Sequence, residues 1–191
     1  MSEAFIQYLR SHVAFSEEEI SRIVRAGVSR RLRQNQHLLT EGTLSKLHVF
    51  VLDGYLRTYL TDHQGNEWTV RLSGPGEWCA DKESLATGKP SIFNIEALSD
   101  SRVFLLNNND LASLVPGIPL LDRLLDLMTL HHFRAAQHRI YIAAACTAEQ
   151  KYTAFLEHHP DLAGQIPLNV LASYLGVVKE TLSRARKKQL V

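Results

Sequence analysis

The chain has 191 residues, 45% hydrophobic and 21% charged, with a formal net charge of +1, so its composition is ordinary for a globular protein and its overall charge announces no nucleic-acid partner. Its two cysteines, Cys79 and Cys146, stand far apart and in no metal-ligand spacing, which excludes a four-cysteine iron–sulfur site within the chain and points to buried free thiols. The opening MSEAFIQYLRSH has no secretory pattern and no apolar run approaches the roughly 20 residues of a membrane helix, so the expectation is a soluble, cytoplasmic protein with no membrane partner.

In chain order, residues 3–12 read as a short helix with Phe5, Ile6 and Leu9 on one side. Ser16 and Glu19 make a capping box for a second helix, whose stripe is Ile20, Ile23 and Val24 and which Gly27 closes. From Val28 to about Leu106 the period changes to alternation. The candidate strands are 37–40, 47–52, 55–61, 67–72, 92–97 and 103–106, separated by turn residues such as Asp53-Gly54 and Gly65-Asn66. Many short strands at near-regular spacing predict a closed or sandwiched antiparallel structure.

Asn107–Val115 returns to helical character, and Pro116-Gly117-Ile118-Pro119 breaks it. A long helix then runs from about Pro119 to Ala145. Its first half is apolar on more than one face, so a second copy of the same helix is the economical cover for the flank its own domain leaves open. The expected dimer contact is Leu121, Leu124, Leu125, Met128 and His132. Thr147 caps a further helix to His158, and the boundary between sensor and C-terminal domain falls near 143–147.

The last stretch, Ile166–Lys188, reads as two helices joined at Gly176. Leu168, Leu171, Ala172 and Leu175 repeat before the glycine, and Leu182 and Ala185 after it. Pro167 suits a first helical position and Gly176 a left-handed joint. This is the helix-turn-helix pattern, whose second helix enters the DNA major groove. That helix carries Lys179, Arg184, Arg186, Lys187 and Lys188 against one acid, Glu180. Lys179, Glu180, Ser183, Arg184 and Lys187 share a face. On it Arg184 is a candidate guanine reader, Glu180 a candidate cytosine reader, and the lysines bind phosphate. Val178 is a poor helix cap.

A helical lead-in, a roll with spaced glycines, a long apolar helix and a terminal helix-turn-helix together resemble the cyclic-AMP receptor protein and fumarate–nitrate regulator family of bacterial transcription factors. Gly42, Gly54, Gly65 and Gly76 match that family's roll glycines, and Lys179-Glu180-Thr181 with Arg184 match its R-E-T-x-x-R pattern. The resemblance implies an α+β fold: a double-stranded β-roll over residues 1–117, a dimerisation helix over 118–145 and a helix-turn-helix domain over 146–191. It implies a homodimer on a palindromic DNA operator, with RNA polymerase as a further partner and no cofactor. Lys179, Glu180, Thr181, Ser183, Arg184, Lys187 and Lys188 are the expected DNA contacts.

Two departures qualify the resemblance. Gly76-Glu77-Trp78 leads into the family's phosphate cassette, but the positions of its G-E pair and its Arg-Ser or Arg-Thr pair here hold Ala80-Asp81 and Ser91-Ile92. Ser91 supplies no charge and Ile92 no hydroxyl, so the expected effector pocket (Trp78, Ala80, Asp81, Lys82, Ser91, Ile92) does not bind cyclic AMP or cyclic GMP tightly. The effector is then another small molecule or none. The sequence also stops at Val191, where family members continue into a wing, so a smaller phosphate footprint is expected. Three alternatives stand beside this reading. One is a cyclic-nucleotide-responsive regulator using Lys82 or Lys89 as the cation. Another is a cupin-like metal enzyme using His37, His48 or His63. The third is an interaction module that has lost DNA binding.

Overall fold

The computed structural model describes residues 3–162 and 164–189, so the expected domain end at Val191 lies outside the described residues. Two helices open the chain, α1 (Glu3–His12) and α2 (Glu17–Arg25). The predicted capping box is in place: Ser16 Oγ accepts from the Glu19 amide at 3.3 Å and Glu19 Oε2 from the Ser16 amide at 2.8 Å.

Eight strands follow: β1 (Gly27–Leu32), β2 (His37–Leu39), β3 (Leu47–Asp53), β4 (Leu56–Thr61), β5 (Glu67–Ser73), β6 (Trp78–Cys79), β7 (Asn94–Ala97) and β8 (Ser101–Asn107). They form two four-stranded antiparallel sheets, ordered β1-β8-β3-β6 and β2-β7-β4-β5. The six predicted strands agree within two residues at each end. Two strands are missed: β6 has only two residues, and β1 is an edge strand that leaves Val28, Ser29, Arg30 and Arg31 exposed, so it has no inward set to read as alternation. Also missed is the short helix α3 (Lys82–Thr87). It buries only Ser84 and is defined by its ends, with Asp81 capping it and Gly88 closing it at φ 67°.

The inner faces of the sheets meet in one core: Leu32, Leu39, Val49, Val51, Leu56, Ile95, Val103 and Leu105. Strand β3 alternates, so Phe50 points the other way, where it joins Phe104 and Trp78 beneath α1 and α2. Phe5 of α1 stacks on Phe104 with ring centroids 4.5 Å apart. Helix α4 (Asn108–Leu114) and a 3₁₀ turn at Val115–Gly117 lead into the long helix α5 (Leu120–Ala145).

Helix α5 corrects an expectation. Leu121, Leu124 and Met128 are buried in the chain's own core with Phe50 and Phe104, Leu125 packs on the same cluster, and His132 lies half-buried at Arg71. The predicted contact residues therefore face inward. The side of α5 left uncovered carries Leu127, Leu130, Phe133, Ile140 and Tyr141. Both sides are apolar, and helical period alone does not say which one the roll takes.

The last three helices are α6 (Ala148–His158), α7 (Leu168–Leu175) and α8 (Lys179–Gln189). Thr147 caps α6 in a second capping box with Gln150. Their cluster, built on Tyr152, Phe155, Leu162, Leu171 and Leu182, continues into Leu72 and Leu98 of the roll.

Candidate nucleic-acid interface and effector pocket

Gly176 ends α7 in the left-handed region (φ 63°, ψ 43°), with its amide bonding back to Ala172 and Ser173 carbonyls. An L side chain there would be strained, which is why a glycine makes the joint. Pro167 stands one residue before the first helical position, where its carbonyl accepts from Leu171 at 3.1 Å. Val178 is exposed, but its carbonyl accepts from the Thr181 and Leu182 amides, so α8 starts on backbone bonds without a side-chain cap.

Leu182 and Ala185 seat α8 on the head, both at 1% exposure or less, which turns the polar side outward. Lys179, Glu180, Arg184, Lys187 and Lys188 are exposed and Ser183 is half-buried. Lys179, Glu180, Ser183 and Arg184 line a shallow open groove with Leu168 of α7. Among the described residues Arg184 makes only long contacts, both 3.5 Å, to the Glu180 carbonyl and Thr181 Oγ1. The guanidinium is thus uncommitted. Thr181 is half-buried and serves its own helix. Lys188 is tied to Glu149 of α6 at 2.8 Å, and that contact holds the Glu149 carboxyl below its ordinary value.

Two attachments of the head were not legible in the sequence. Ser173 Oγ of α7 accepts from the Thr69 amide and donates to the Glu67 carbonyl, both at 2.8 Å. It thereby occupies the free edge of β5 as a neighbouring strand would. Arg139 of α5 donates to the Tyr174 carbonyl at 3.1 Å with its guanidinium 4.1 Å from the Tyr174 ring centre. Serine and arginine at these positions look like ordinary surface residues until the fold supplies their partners.

The structure does not assemble the six expected effector residues into one pocket. Trp78 points away from the roll interior and packs edge-on to Phe5 and Phe50. Asp81 is buried as the cap of α3, accepting from the Ser84 amide at 3.1 Å. Ser91 is buried and its hydroxyl is used within its own loop, accepting from the Phe93 amide at 2.9 Å. Ile92 is 59% exposed. Ala80 is half-buried on the strand side of α3, and Lys89 is exposed. Only Lys82 turns towards α5, donating to Thr129 Oγ1 at 2.7 Å. The loop at 80–92 therefore presents neither a guanidinium nor a free hydroxyl to a cyclic phosphate.

Elsewhere on the roll the buried charges Arg57 and Glu96 pair with each other. Arg57 of β4 is held between Glu96 (2.6 Å) and Glu67 (2.7 Å), with its guanidinium 4.0 Å from the Tyr59 ring centre. Burial works against its charge, and the two carboxylates more than offset it and hold its pKa above the ordinary value. The histidines of the metal alternative have separate partners: His37 contacts Tyr59 and Glu96, and His48 contacts Asn108. Among the described residues no group of three or more His, Cys, Asp or Glu side chains is placed to hold a metal, and no helix is long and apolar enough to cross a membrane.

A sequence profile for the cyclic nucleotide-binding domain matches residues 29–116. The chain is 26% identical over 155 residues to the cyclic AMP receptor protein of Thermus thermophilus, covering 79% of this chain and 71% of that one. Its fold superposes on FixK2 from Bradyrhizobium japonicum with a TM-score of 0.74 at 23% identity, covering 86% of this chain and 84% of FixK2. A regulator of the crp/fnr family from Eubacterium rectale gives a TM-score of 0.73 at 16% identity, over 96% of this chain and 88% of the other.

Proposed function

We propose that this chain, which belongs to the cyclic-AMP receptor protein/fumarate–nitrate regulator family and carries its cyclic nucleotide-binding domain, is a transcription regulator that binds DNA as a two-fold dimer. The observation that carries the proposal is the orientation of α8: its two apolar residues are spent on the head, and its basic face, with Arg184 uncommitted, points to solvent. Such a helix fits a major groove, where a bidentate arginine reads guanine and lysines hold phosphates.

The uncovered side of α5 supports the dimer. Leu130, Phe133, Gln137 and Ile140 recur at alternating spacings of three and four, the period of a two-helix seam, with Leu127 and Tyr141 flanking. A two-fold pairing through it sets the separation of the two α8 helices, so the operator is expected to be palindromic with half-sites about one helical turn apart.

The loop at 80–92 supports a regulator that does not take cyclic AMP or cyclic GMP tightly, because Asp81 and Ser91 are occupied within the protein. The decisive experiment is selection of binding sites from random DNA, then fluorescence anisotropy on the enriched site at two stated salt concentrations, with sedimentation to count protomers. A dimer that prefers a palindrome is the expected result. A protein with no preference for any sequence at low salt would instead be an interaction module. Micromolar binding of either cyclic nucleotide in calorimetry would overturn the effector reading alone.

A further inference from the structure

Arg71 and Lys82 differ from Arg57, the buried cation of the strands. Arg57 has two carboxylates within 2.7 Å. Arg71 and Lys82 are half-buried, yet among the described residues neither forms an ion pair with any acid. Arg71 of β5 lies opposite Thr58 of β4, on the face where Thr58 Oγ1 meets Cys79 Sγ. Its Nε donates to Ser73 Oγ at 3.1 Å, and its Nη1 reaches the His132 ring of α5, 2.6 Å from Nδ1. Lys82, at the start of α3, points at the same helix and donates to Thr129, one turn before His132.

Three nitrogen-bearing side chains from three elements thus converge under α5 with only neutral partners. The repulsion is visible at two of them, His132 and Lys82. His132 is driven down to about 3, by burial first and then by the charges of Arg71 and Lys82. Lys82 is held below its ordinary value by burial and by Arg71. Cations placed together out of water without a counter-charge are unfavourable for the free protein, and an anion entering between them would relieve both desolvation and repulsion.

We propose that Arg71, Lys82 and His132, with the hydroxyls of Ser73 and Thr129, form a binding site for a small phosphorylated metabolite at the seam between the roll and α5. Two full cations match the charge of a phosphomonoester dianion. Donors arriving from a strand, a short helix and the long helix suit a tetrahedral oxyanion better than a planar carboxylate. The guanidinium here comes from β5, and the segment 80–92 supplies only the Lys82 ammonium. Because two of the five residues lie on α5, an occupied site ties the roll to that helix. An effect of that tie on DNA binding rests on the function proposed above; the binding event itself does not.

The test uses the full chain without DNA. Inorganic phosphate and pyrophosphate are titrated by calorimetry and by ³¹P line broadening, with citrate as the carboxylate arm. Saturable binding of phosphate or pyrophosphate, one per protomer, is expected, weakened about tenfold or more in Arg71→Gln and in Lys82→Gln. Ser91→Ala should bind as the parent does. A second readout separates a site from a structural role: the unliganded Lys82→Gln protein should melt no lower than the parent, since a repelling charge has been removed, and phosphate should no longer raise its Tm. No saturable phosphate or pyrophosphate binding, binding that survives both substitutions, or capture of citrate alone would overturn the proposal. A protein that binds phosphate here but no DNA would leave the site standing and remove the regulator.

Discussion

Arg184→Ala tests how α8 meets DNA. In the free protein the guanidinium makes, among the described residues, only two contacts at the 3.5 Å limit, both within its own helix. Its removal should therefore leave the unfolding free energy within about 0.5 kcal/mol of the parent. On DNA, a bidentate arginine–guanine contact contributes roughly 1–3 kcal/mol of discrimination. A two-fold dimer loses it twice, so about 2–6 kcal/mol is at stake. That is an affinity loss of about thirtyfold to beyond ten-thousandfold on the selected site. The loss should be confined to the one base pair per half-site that Arg184 reads. Lys187→Ala is the control: a phosphate contact weakens every sequence alike and lowers the slope of log K against log salt by about 0.9 per head. Anisotropy on the selected site and on single-base variants, each at two salt concentrations, reads both quantities. Were Arg184→Ala to weaken all sequences equally and flatten the salt slope, Arg184 would be a phosphate contact. Were it to change neither affinity nor preference, α8 would not be docked as argued.

Gly54→Ala should destabilise the roll by at least about 1–3 kcal/mol, the strain of a left-handed non-glycine residue. Its φ is +78°, and a Cβ there would stand 2.3 Å from Ser101 Oγ and 2.7 Å from the Asp100 carbonyl. Gly65→Ala, with a similar φ but nothing within 4 Å, should lose less, so equal melting temperatures for the two variants would contradict the steric account. Arg57→Met leaves Glu96, 8% exposed, without its guanidinium and facing only the His37 ring and Tyr59 hydroxyl among the described residues, and should cost about 3–5 kcal/mol. The double variant Arg57→Met/Glu96→Leu should recover most of that loss in urea unfolding, and an additive outcome would refute the pairing. Leu130→Glu with Phe133→Glu should convert the dimer to monomers in sedimentation without lowering monomer helicity; an unchanged dimer would place the interface elsewhere. Acidification is expected to destabilise the fold through His48, His132 and His159, each held below its ordinary value chiefly by burial. Below about pH 6.5 the unfolded chain binds protons that these folded-state imidazoles refuse, so stability falls as pH drops, for His132 down to about 3. A urea midpoint that holds or rises between about pH 7 and 5.5, above the carboxylate range, would contradict the sign.

Local signals settled much of this protein in advance. Ser16 with Glu19 and Thr147 with Gln150 cap their helices through atoms three residues apart, so the sequence contains the whole interaction. Gly176 needs only its own backbone torsion to end α7, and Leu182 with Ala185 orient α8 by helical period, which is why the outward face of α8 was readable. Tertiary structure decided whatever depends on a partner distant in the chain. It chose which apolar side of α5 the roll covers, because Leu121 and Leu130 are equally greasy until Phe50 and Phe104 arrive beside one of them. It spent Asp81 and Ser91 inside their own loop and set Arg71 against His132, 61 residues away, placing the guanidinium of the roll–helix seam on a strand where no local pattern marks it.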